Sequence, residues 1–180
     1  MNRKQLEHVI GSAATISEDD DIIVIGSQSI LGQFPDAPLE LLVSDEADVY
    51  PMSHPDRADL VDGSIGELSP FHETFGYYAQ GVGEETAVLP DGWKERLIPV
   101  RSARTRGATG WCLEVHDLVI SKAFAGREKD QRFIKDVVRH GLVDVATLRA
   151  RLAATTREPE LHEVVRNRLA RWCAPGEPAA

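Results

Sequence analysis

The sequence predicts a mixed α/β (α+β) protein in which a sheet-forming part is followed by a helical C-terminal part. Short apolar runs bounded by glycine or acidic residues dominate up to Val115, and apolar residues recur at helical spacing from His116 onward. A chain of 180 residues can bury one full core with a small helical extension. We therefore expect an α/β core over residues 1–115, helices packed on it over 116–174, and a frayed tail over 175–180.

The elements of the first part follow from apolar periodicity and from glycine breaks. Apolar residues at helical spacing predict an opening helix over residues 3–15. The apolar run Asp21–Ile25 predicts a buried strand that ends before Gly26, and Ser27 is expected to cap a helix through Gly32. A helical segment is expected between His54 and Ser69, and further strands are expected over 39–50, 95–101 and 110–115, with turns over 76–83.

Four helices are predicted in the second part, over residues 117–125, 128–139, 144–154 and 159–172. Gly126, Gly141 and the stretch Thr155–Glu158 separate them, as expected of residues that end helices or form loops. The order of elements predicts a mixed sheet first and a helical half second.

Composition limits the class of protein. The chain is 42% hydrophobic and 27% charged, which is ordinary for a globular protein, and no apolar run is long enough for a membrane span. The N-terminal residues lack the apolar core of a signal peptide, and the two cysteines have no metal-binding spacing. We expect a cytoplasmic protein with no membrane partner.

The charge is unevenly distributed along the chain. Residues 1–93 contain 3 Lys/Arg and 18 Asp/Glu, whereas residues 94–180 contain 17 and 11. An acidic first half suits cations and a basic second half suits phosphates, although both halves are equally explained as solvated surface.

Two carboxylates define the first candidate site. Side chains alternate along a strand, so Ser44, Glu46 and Asp48 are expected on one face and Val43, Ala47 and Val49 on the core-facing side. Two carboxylates on one face can bind Mg²⁺, which accepts phosphate oxygens in its remaining positions. The alternative is an acidic strand edge that discourages aggregation.

The turn at Gly26-Ser27 is the second candidate. A strand that turns into a helix here presents backbone N–H groups and a hydroxyl, both suited to a phosphate. The alternative is an ordinary strand-to-helix turn. A Rossmann fold is disfavoured because GSQSILG lacks the second and third glycines of the dinucleotide motif.

Charged residues on two apolar helix stripes form the third candidate. Lys122 lies on the stripe of Val115, Leu118 and Val119, and Asp130 lies on the stripe of the following helix. An inward lysine and an inward aspartate on consecutive helices indicate a buried ion pair, either structural or part of a site. A lysine stem that extends to the surface is the further alternative.

The segments IIVIGSQ, SDEADVY and HDLVISKAFAGREKDQRFI together resemble the nucleotidyltransferase-fold superfamily, nearest to the AbiE-type and MenT-type toxins of bacterial toxin–antitoxin systems. In that family a Gly-Ser turn ends the first strand and an acidic-x-Asp pair on the next strand binds magnesium. Later helices supply a lysine and an Arg-x-x-Asp segment. The matching positions here are Gly26, Ser27, Glu46, Asp48, Lys122, Arg127 and Asp130.

The resemblance implies Mg²⁺-dependent transfer of a nucleotidyl group from a nucleoside triphosphate (NTP) to an acceptor. Glu46 and Asp48 would bind the metal, Gly26, Ser27 and Lys122 the triphosphate, and Asp130 would orient Lys122 or help activate the acceptor hydroxyl. The likeness to MenT-type toxins implies the 3′ end of tRNA as acceptor and an antitoxin protein as partner. We expect these residues to converge on one cleft.

Two departures from the family pattern keep an alternative open. Glu46 stands where aspartate is more usual, and the third carboxylate of many members is represented only by the candidates Glu95 and Glu114. The alternative is a catalytically degenerate nucleotidyltransferase-fold protein with a binding or regulatory role. Tyr77 and Tyr78 are further candidates, for a base pocket, as are three loop arginines for phosphate contacts: Arg101, Arg104 and Arg106.

Overall fold

A computed structural model describes residues 1–174 of the chain, and these residues form a five-stranded mixed sheet and eight α-helices. The predicted fold class, a mixed α/β protein with a helical C-terminal half, is confirmed. The tail over 175–180 lies outside the described residues. Among residues 1–174 no helix combines the length and apolarity needed to cross a membrane.

The strands are β1 (Asp21–Val24), β2 (Glu46–Pro51), β3 (Tyr78–Gly81), β4 (Ile98–Val100) and β5 (Thr109–Cys112). They lie in the order β3-β2-β1-β5-β4. β1 is therefore central, antiparallel to β2 and parallel to β5, while β3 runs parallel to β2. The apolar run at β1 is explained by this position, because a central strand is covered on both faces.

The chain divides into two compact units. The first comprises Met1–Thr86 and Lys94–Glu114 and contains the whole sheet. The second comprises Ala87–Trp93 and the chain from Val115 onward.

In the first unit the helices are α1 (Arg3–Ser17), α2 (Ile30–Gln33), α3 (Ala58–Ile65) and α4 (Pro70–Phe75). Asn2 caps α1 in a reciprocal capping box with Gln5, which explains the sharp start of this helix. A Cβ at Gly110 of β5 would lie 2.3 Å from Cδ1 of Ile10 in α1, so α1 packs closely on the face of the sheet to which Gly110 belongs. Ile23, Tyr50 and Trp111 occupy the opposite face.

Two predicted strands are shorter in the structure, and one predicted run of turns contains a strand. Residues 39–45 are not strand: Leu39–Leu41 is a 3₁₀ turn, and Val43, expected on the core side, is 81% exposed. The Ser44 hydroxyl accepts the Glu46 N–H at 3.2 Å, so Ser44 precedes the strand in a local turn rather than extending it.

The other two errors have different causes. The segment predicted as turns contains β3, whose residues pair in parallel with β2 in spite of the flanking glycines. The strand predicted over 95–101 shortens to β4 because Trp93–Arg96 forms a 3₁₀ turn. Pairing between distant segments, which local sequence does not reveal, determined the first outcome, and a local turn determined the second.

The second unit contains α5 (Val115–Ala125), α6 (Glu128–Arg139), α7 (Val145–Ala153) and α8 (Pro159–Trp172). The four predicted helices are confirmed to within two residues at each end. The guanidinium of Arg168 in α8 donates to the carbonyls of Ala123 and Phe124 at 2.9 and 3.0 Å, which satisfies the C-terminal end of α5. Asp117, fully buried in α5, faces Arg151 of α7 at 3.1 Å.

Candidate functional site

The paired carboxylates of β2 lie on the sheet face opposite α1. Burial alternates along the strand: Ala47 and Val49 are fully buried, and Glu46 and Asp48 are half-buried. Tyr50, two residues beyond Asp48, shares their face because the side-chain period of a strand is two. We call this side of the sheet the carboxylate face. The predicted common face of Glu46 and Asp48 is confirmed, whereas Ser44 lies outside the strand.

The turn after β1 lies directly against Asp48. The Ile25 N–H donates to the Asp48 carbonyl at 3.1 Å, which extends the β1–β2 pairing to the last residue before Gly26. A Cβ placed on Gly26 would lie 1.5 Å from Oδ2 of Asp48 and 2.5 Å from its Cγ. The carboxylate of Asp48 therefore occupies the space that a side chain at Gly26 would fill, and only glycine permits this approach.

Ser27 does not cap a helix as the sequence predicted. The chain forms a 3₁₀ turn over Ser27–Ser29 with Gly26 at its N-cap, no side chain caps that turn, and α2 begins only at Ile30. The next side chain, Gln28, is fully buried, and neither polar atom of its amide has a hydrogen-bond partner among the described residues. The predicted turn at Gly26-Ser27 is thus present, in a tighter form.

Tyr78 of β3 contacts the first carboxylate. Tyr78 is paired with Glu46 in the parallel register, and its hydroxyl donates to Oε2 of Glu46 at 3.1 Å. Burial, followed by the negative charge of Glu46 and by this hydrogen bond, raises the pKa of Tyr78 to about 12, with Glu67 and Asp48 contributing. The phenol therefore stays protonated and fixes the orientation of Glu46. Sequence reasoning missed this role because β3 was not predicted as a strand.

Tyr77, the neighbouring residue, points away from the carboxylates. Its hydroxyl lies 2.8 Å from Nδ1 of His8 in α1, and its ring packs among Phe71, Phe75 and His8. The two adjacent tyrosines therefore belong to opposite faces of the sheet.

Two of the three loop arginines, Arg104 and Arg106, also lie on the α1 side. Burial lowers the pKa of His8, and the charges of Arg106 and Arg104 lower it further, which places both guanidiniums near α1. The carbonyl of Arg104 would lie 2.8 Å from a Cβ on Gly11 of α1. These arginines are thus on the far side of the sheet from Glu46 and Asp48.

In the second unit, Lys122 and Asp130 form the buried ion pair that the helix stripes predicted. Nζ of Lys122 lies 3.2 Å from Oδ1 of Asp130 and 4.6 Å from the ring centroid of Phe133. Asp130 is fully buried and also accepts the Arg127 guanidinium at 2.8 Å and the Arg127 N–H at 3.2 Å.

These contacts determine the charge state of Asp130. Burial alone would raise its pKa, but the hydrogen bonds from Arg127 and the charge of Lys122 outweigh burial and hold the pKa below the ordinary value. Asp130 is therefore an ionised anchor for two cations. Such a carboxylate is a weak proton acceptor, so its geometry favours orienting Lys122 over activating a hydroxyl.

The structure thus assembles two groups of predicted residues. Gly26, Ser27, Glu46 and Asp48 lie together in the first unit, and Lys122 pairs with Asp130 in the second. The convergence of these two groups on one cleft stays a prediction.

The third carboxylate has no place in either group. Within residues 1–174 no three or more His, Cys, Asp or Glu side chains are grouped so as to hold a metal ion. Glu95 is exposed in a 3₁₀ turn, and Glu114 is half-buried two residues after the end of β5. Two protein carboxylates remain a sufficient set for Mg²⁺ where substrate phosphates and water complete its coordination.

Comparison with known proteins identifies one family. A family model described as "Nucleotidyltransferase of unknown function (DUF6036)" matches residues 4–173. No curated protein and no solved structure shows a significant match to the chain.

Proposed function

The chain belongs to the nucleotidyltransferase family DUF6036, and on that premise we propose that it transfers a nucleotidyl group from an NTP to an acceptor with the help of Mg²⁺. The acceptor oxygen would form a bond to the α-phosphorus while the bond to pyrophosphate breaks, and the hydroxyl proton would pass to water. The superfamily resemblance is confirmed by the family match. The nearness to AbiE-type and MenT-type toxins is part of the proposal.

One observation carries the proposal: the carboxylate of Asp48 lies in the space that a Cβ on Gly26 would occupy. In a nucleotidyltransferase the turn after the first strand contacts the phosphates and the acidic pair contacts the metal. The two must be adjacent, because the metal and the phosphates bind each other. The close approach of the Asp48 carboxylate to Gly26 places a proposed metal ligand directly beside the proposed phosphate-binding turn.

The acidic pair fits Mg²⁺ by the chemistry of its donors. Carboxylate oxygens are the ligands that this hard cation prefers, and Glu46 and Asp48 present them half-exposed on one face. Tyr78 holds Glu46 in the way that outer hydrogen bonds commonly orient metal ligands. The metal would supply neutralisation of the charge that develops on the phosphates.

Lys122 and Asp130 would act on the triphosphate. We assign Lys122 to a phosphate contact and Asp130 to holding that ammonium group in place. Asp130 has a second cation in Arg127, so its charge stays compensated when Lys122 turns toward a ligand. This arrangement supports an orienting role for Asp130.

By likeness to MenT-type toxins, we further propose that the acceptor is the 3′ end of tRNA and that an antitoxin protein inhibits the enzyme. The excess of Lys/Arg over Asp/Glu after residue 93 supports an RNA partner, because cationic surfaces attract the phosphate backbone. Induced expression in a bacterial host is expected to arrest growth, and the Asp48→Asn variant is expected to leave growth unchanged.

Ligand-induced stabilisation tests the donor half of the proposal. At an NTP concentration one hundred times its Kd, binding adds about 2.7 kcal/mol to the free energy of unfolding, or about 5–10 °C in Tm for a chain of this size. We expect this shift only with Mg²⁺ and NTP together. Asp48→Asn and Glu46→Gln should abolish it, and the exposed control Asp36→Asn should retain it. A full shift in the Asp48 variant would remove that residue from the metal site.

A second candidate function is a catalytically degenerate member that binds nucleotide or a regulatory partner. The observation that favours it is that no group of three metal-binding side chains occurs within residues 1–174. This candidate predicts the same thermal shift with no product from any acceptor. A screen of the four NTPs against total tRNA and protein acceptors separates the two functions.

A further inference from the structure

A cavity of about 390 Å³ opens on the carboxylate face of the sheet. Ile23 of β1 pairs directly with Tyr50 of β2 and with Trp111 of β5, so these three side chains point to the same face and form the floor. Tyr50 and Ile23 are almost fully buried, and Trp111 is half-buried with its Nε1 donating to Asp21 at 2.7 Å. The floor is therefore rigid and aromatic.

The cavity and the Gly26-Ser27 turn lie on opposite sides of Asp48. Tyr50 follows Asp48 by two residues on the same face, a separation of about 7 Å along the strand. In the neighbouring β1, Ile23 lies beside Tyr50 and Ile25 lies beside Asp48. Gly26 comes next after Ile25, on the side of Asp48 away from Tyr50. The order along the sheet is thus turn, Asp48, cavity.

This order assigns the cavity to the acceptor. In nucleotidyl transfer the attacking oxygen and the leaving pyrophosphate lie roughly in line on opposite sides of the α-phosphorus. If the turn holds the β- and γ-phosphates and Asp48 the metal at the α-phosphate, the acceptor approaches from the side of Tyr50. The inference rests on the proposed function in this respect.

The lining indicates which part of the acceptor enters. The half-buried Trp111 and Leu97 offer aromatic and apolar surface, which suits a flat ring, while the almost fully buried Tyr50 closes the floor. The rim carries polar groups: Lys94 bonds Glu84 at 2.8 Å, and the Tyr50 hydroxyl donates to Glu84 at 3.3 Å. Both rim charges are partly exposed, at 61% and 47%, and can exchange partners with a ligand.

We propose that this cavity binds the terminal base of an RNA acceptor. The ring would lie against Trp111 above the floor, its hydrogen-bonding edge would meet Glu84 and Lys94, and its ribose would extend along the strand toward Asp48. A base with its attached ribose has the two properties that the site requires: a flat ring for the cavity and a hydroxyl that reaches the metal site. The acceptor is therefore recognised by its last nucleoside.

Binding of two RNAs tests the proposal without turnover. One probe is a short 5′-fluorescein-labelled RNA ending in CCA, and the other has the same sequence with an abasic last nucleotide that keeps its hydroxyls. Fluorescence anisotropy is measured with Mg²⁺ and an NTP analogue that cannot be cleaved between its α- and β-phosphates. The wild type is expected to bind the intact RNA roughly tenfold more tightly, the scale of losing one base–aromatic stack.

Two variants fill the cavity from different walls. Leu97→Trp fills it from within, and Met52→Trp fills it from the 40% exposed rim, where the risk to folding is smaller. Both variants are expected to bind the intact and the abasic RNA with equal affinity, close to the affinity of the wild type for the abasic RNA. The matched control is Leu60→Trp, which makes the same enlargement at a 55% exposed position of α3. A cooperative thermal unfolding transition is the check that each variant is folded.

The outcomes separate this inference from the proposed function. Equal affinity of the wild type for both RNAs, or a base preference that survives both filled variants, overturns the inference. Filled variants that lose NTP binding instead would assign the cavity to the donor base and also overturn it. If the filled variants lose the base preference but the wild type shows no Mg²⁺–NTP thermal shift, the cavity assignment stands and the donor site is refuted. If Asp48→Asn loses the Mg²⁺–NTP thermal shift but the wild type shows no base preference, the donor site stands and the cavity assignment is refuted.

Discussion

Substitution of Gly26 by alanine is the sharpest perturbation of the site. The backbone at Gly26 is extended, with φ −81° and ψ −170°, so alanine is compatible with its conformation. The added Cβ would nevertheless lie 1.5 Å from Oδ2, 2.5 Å from Cγ and 2.9 Å from Cβ of Asp48. Rotation of the Asp48 side chain away from the turn relieves the overlap with the carboxylate, and a small backbone shift must relieve the remaining 2.9 Å contact with the Asp48 Cβ.

The structure predicts a small loss of stability and a large loss of binding. Overpacking costs about 1–3 kcal/mol, and the middle of this range applies because the Asp48 side chain rotates and the backbone also shifts slightly. Loss of glycine flexibility in the unfolded chain offsets about 0.4–1 kcal/mol of this cost. The net change is a loss of about 1–2 kcal/mol. The Mg²⁺–NTP thermal shift should disappear, because the displaced carboxylate no longer faces the metal.

The assay combines urea unfolding with thermal shifts in Mg²⁺ and NTP. Gly63→Ala in α3 is the matched control: nothing lies within 4 Å of its added Cβ, so it should gain about 0.5–1 kcal/mol and keep the full shift. In the double variant Gly26→Ala/Asp48→Ala the two effects on stability should couple by about 1 kcal/mol. A Gly26→Ala protein with an unchanged Mg²⁺–NTP shift would refute the assigned contact and the site built on it.

Three further predictions concern the residues around the two ion-binding groups. Tyr78→Phe removes the hydrogen bond to Glu46 and should weaken Mg²⁺ binding roughly tenfold in an NTP-saturated titration, whereas Tyr77→Phe should not. Lys122→Met should lower the free energy of unfolding by about 2 kcal/mol in urea, because it removes a buried charge-assisted hydrogen bond while Arg127 still compensates Asp130. The Asp130 pKa is lowered on folding, so its stabilisation is present above the ordinary value of 3.8 and is lost as pH falls through the folded value. Asp130→Asn should therefore show a weaker fall in stability below about pH 4, measured by urea unfolding at several pH values.

The exposed Lys129 and the half-buried Asp136, both on α6, provide the controls for the last two predictions. Lys129→Met should leave stability within about 0.5 kcal/mol, as expected of a surface position. Asp136→Asn, which faces Arg139 at 3.0 Å, should preserve the acid transition of the wild type. A Lys122→Met protein as stable as Lys129→Met would show that the buried ion pair does not contribute to the free energy of unfolding. An unchanged acid profile in Asp130→Asn would contradict its lowered pKa.

The sequence predicted those features that depend on the side-chain periodicity of a single helix or strand. Lys122 and Asp130 were placed on inward stripes from helical spacing alone, and their contact at 3.2 Å follows from that placement. The common face of Glu46 and Asp48 follows in the same way from the strand period.

Features that depend on pairing between distant segments could not be predicted. The contact of Tyr78 with Glu46 needs the parallel register of β2 and β3, and β3 is a short strand with a glycine at its end and another two residues before it. The cavity required Ile23, Tyr50 and Trp111 from three strands to be aligned, which only the sheet order gives. The steric meeting of Gly26 with Asp48 likewise arises from the antiparallel register of β1 and β2.

The most direct test of the central claim is nucleotidyl transfer itself. Purified protein is incubated with Mg²⁺, each of the four labelled NTPs and total tRNA, and both labelled RNA and released pyrophosphate are quantified. We predict 3′-extended RNA and an equal amount of pyrophosphate with the wild type and with Asp36→Asn, and neither product with Asp48→Asn. Equal yields from Asp48→Asn and the wild type would contradict the assigned site. Absence of both products with every NTP and acceptor, in a protein that still binds Mg²⁺ and NTP, would contradict the proposed activity.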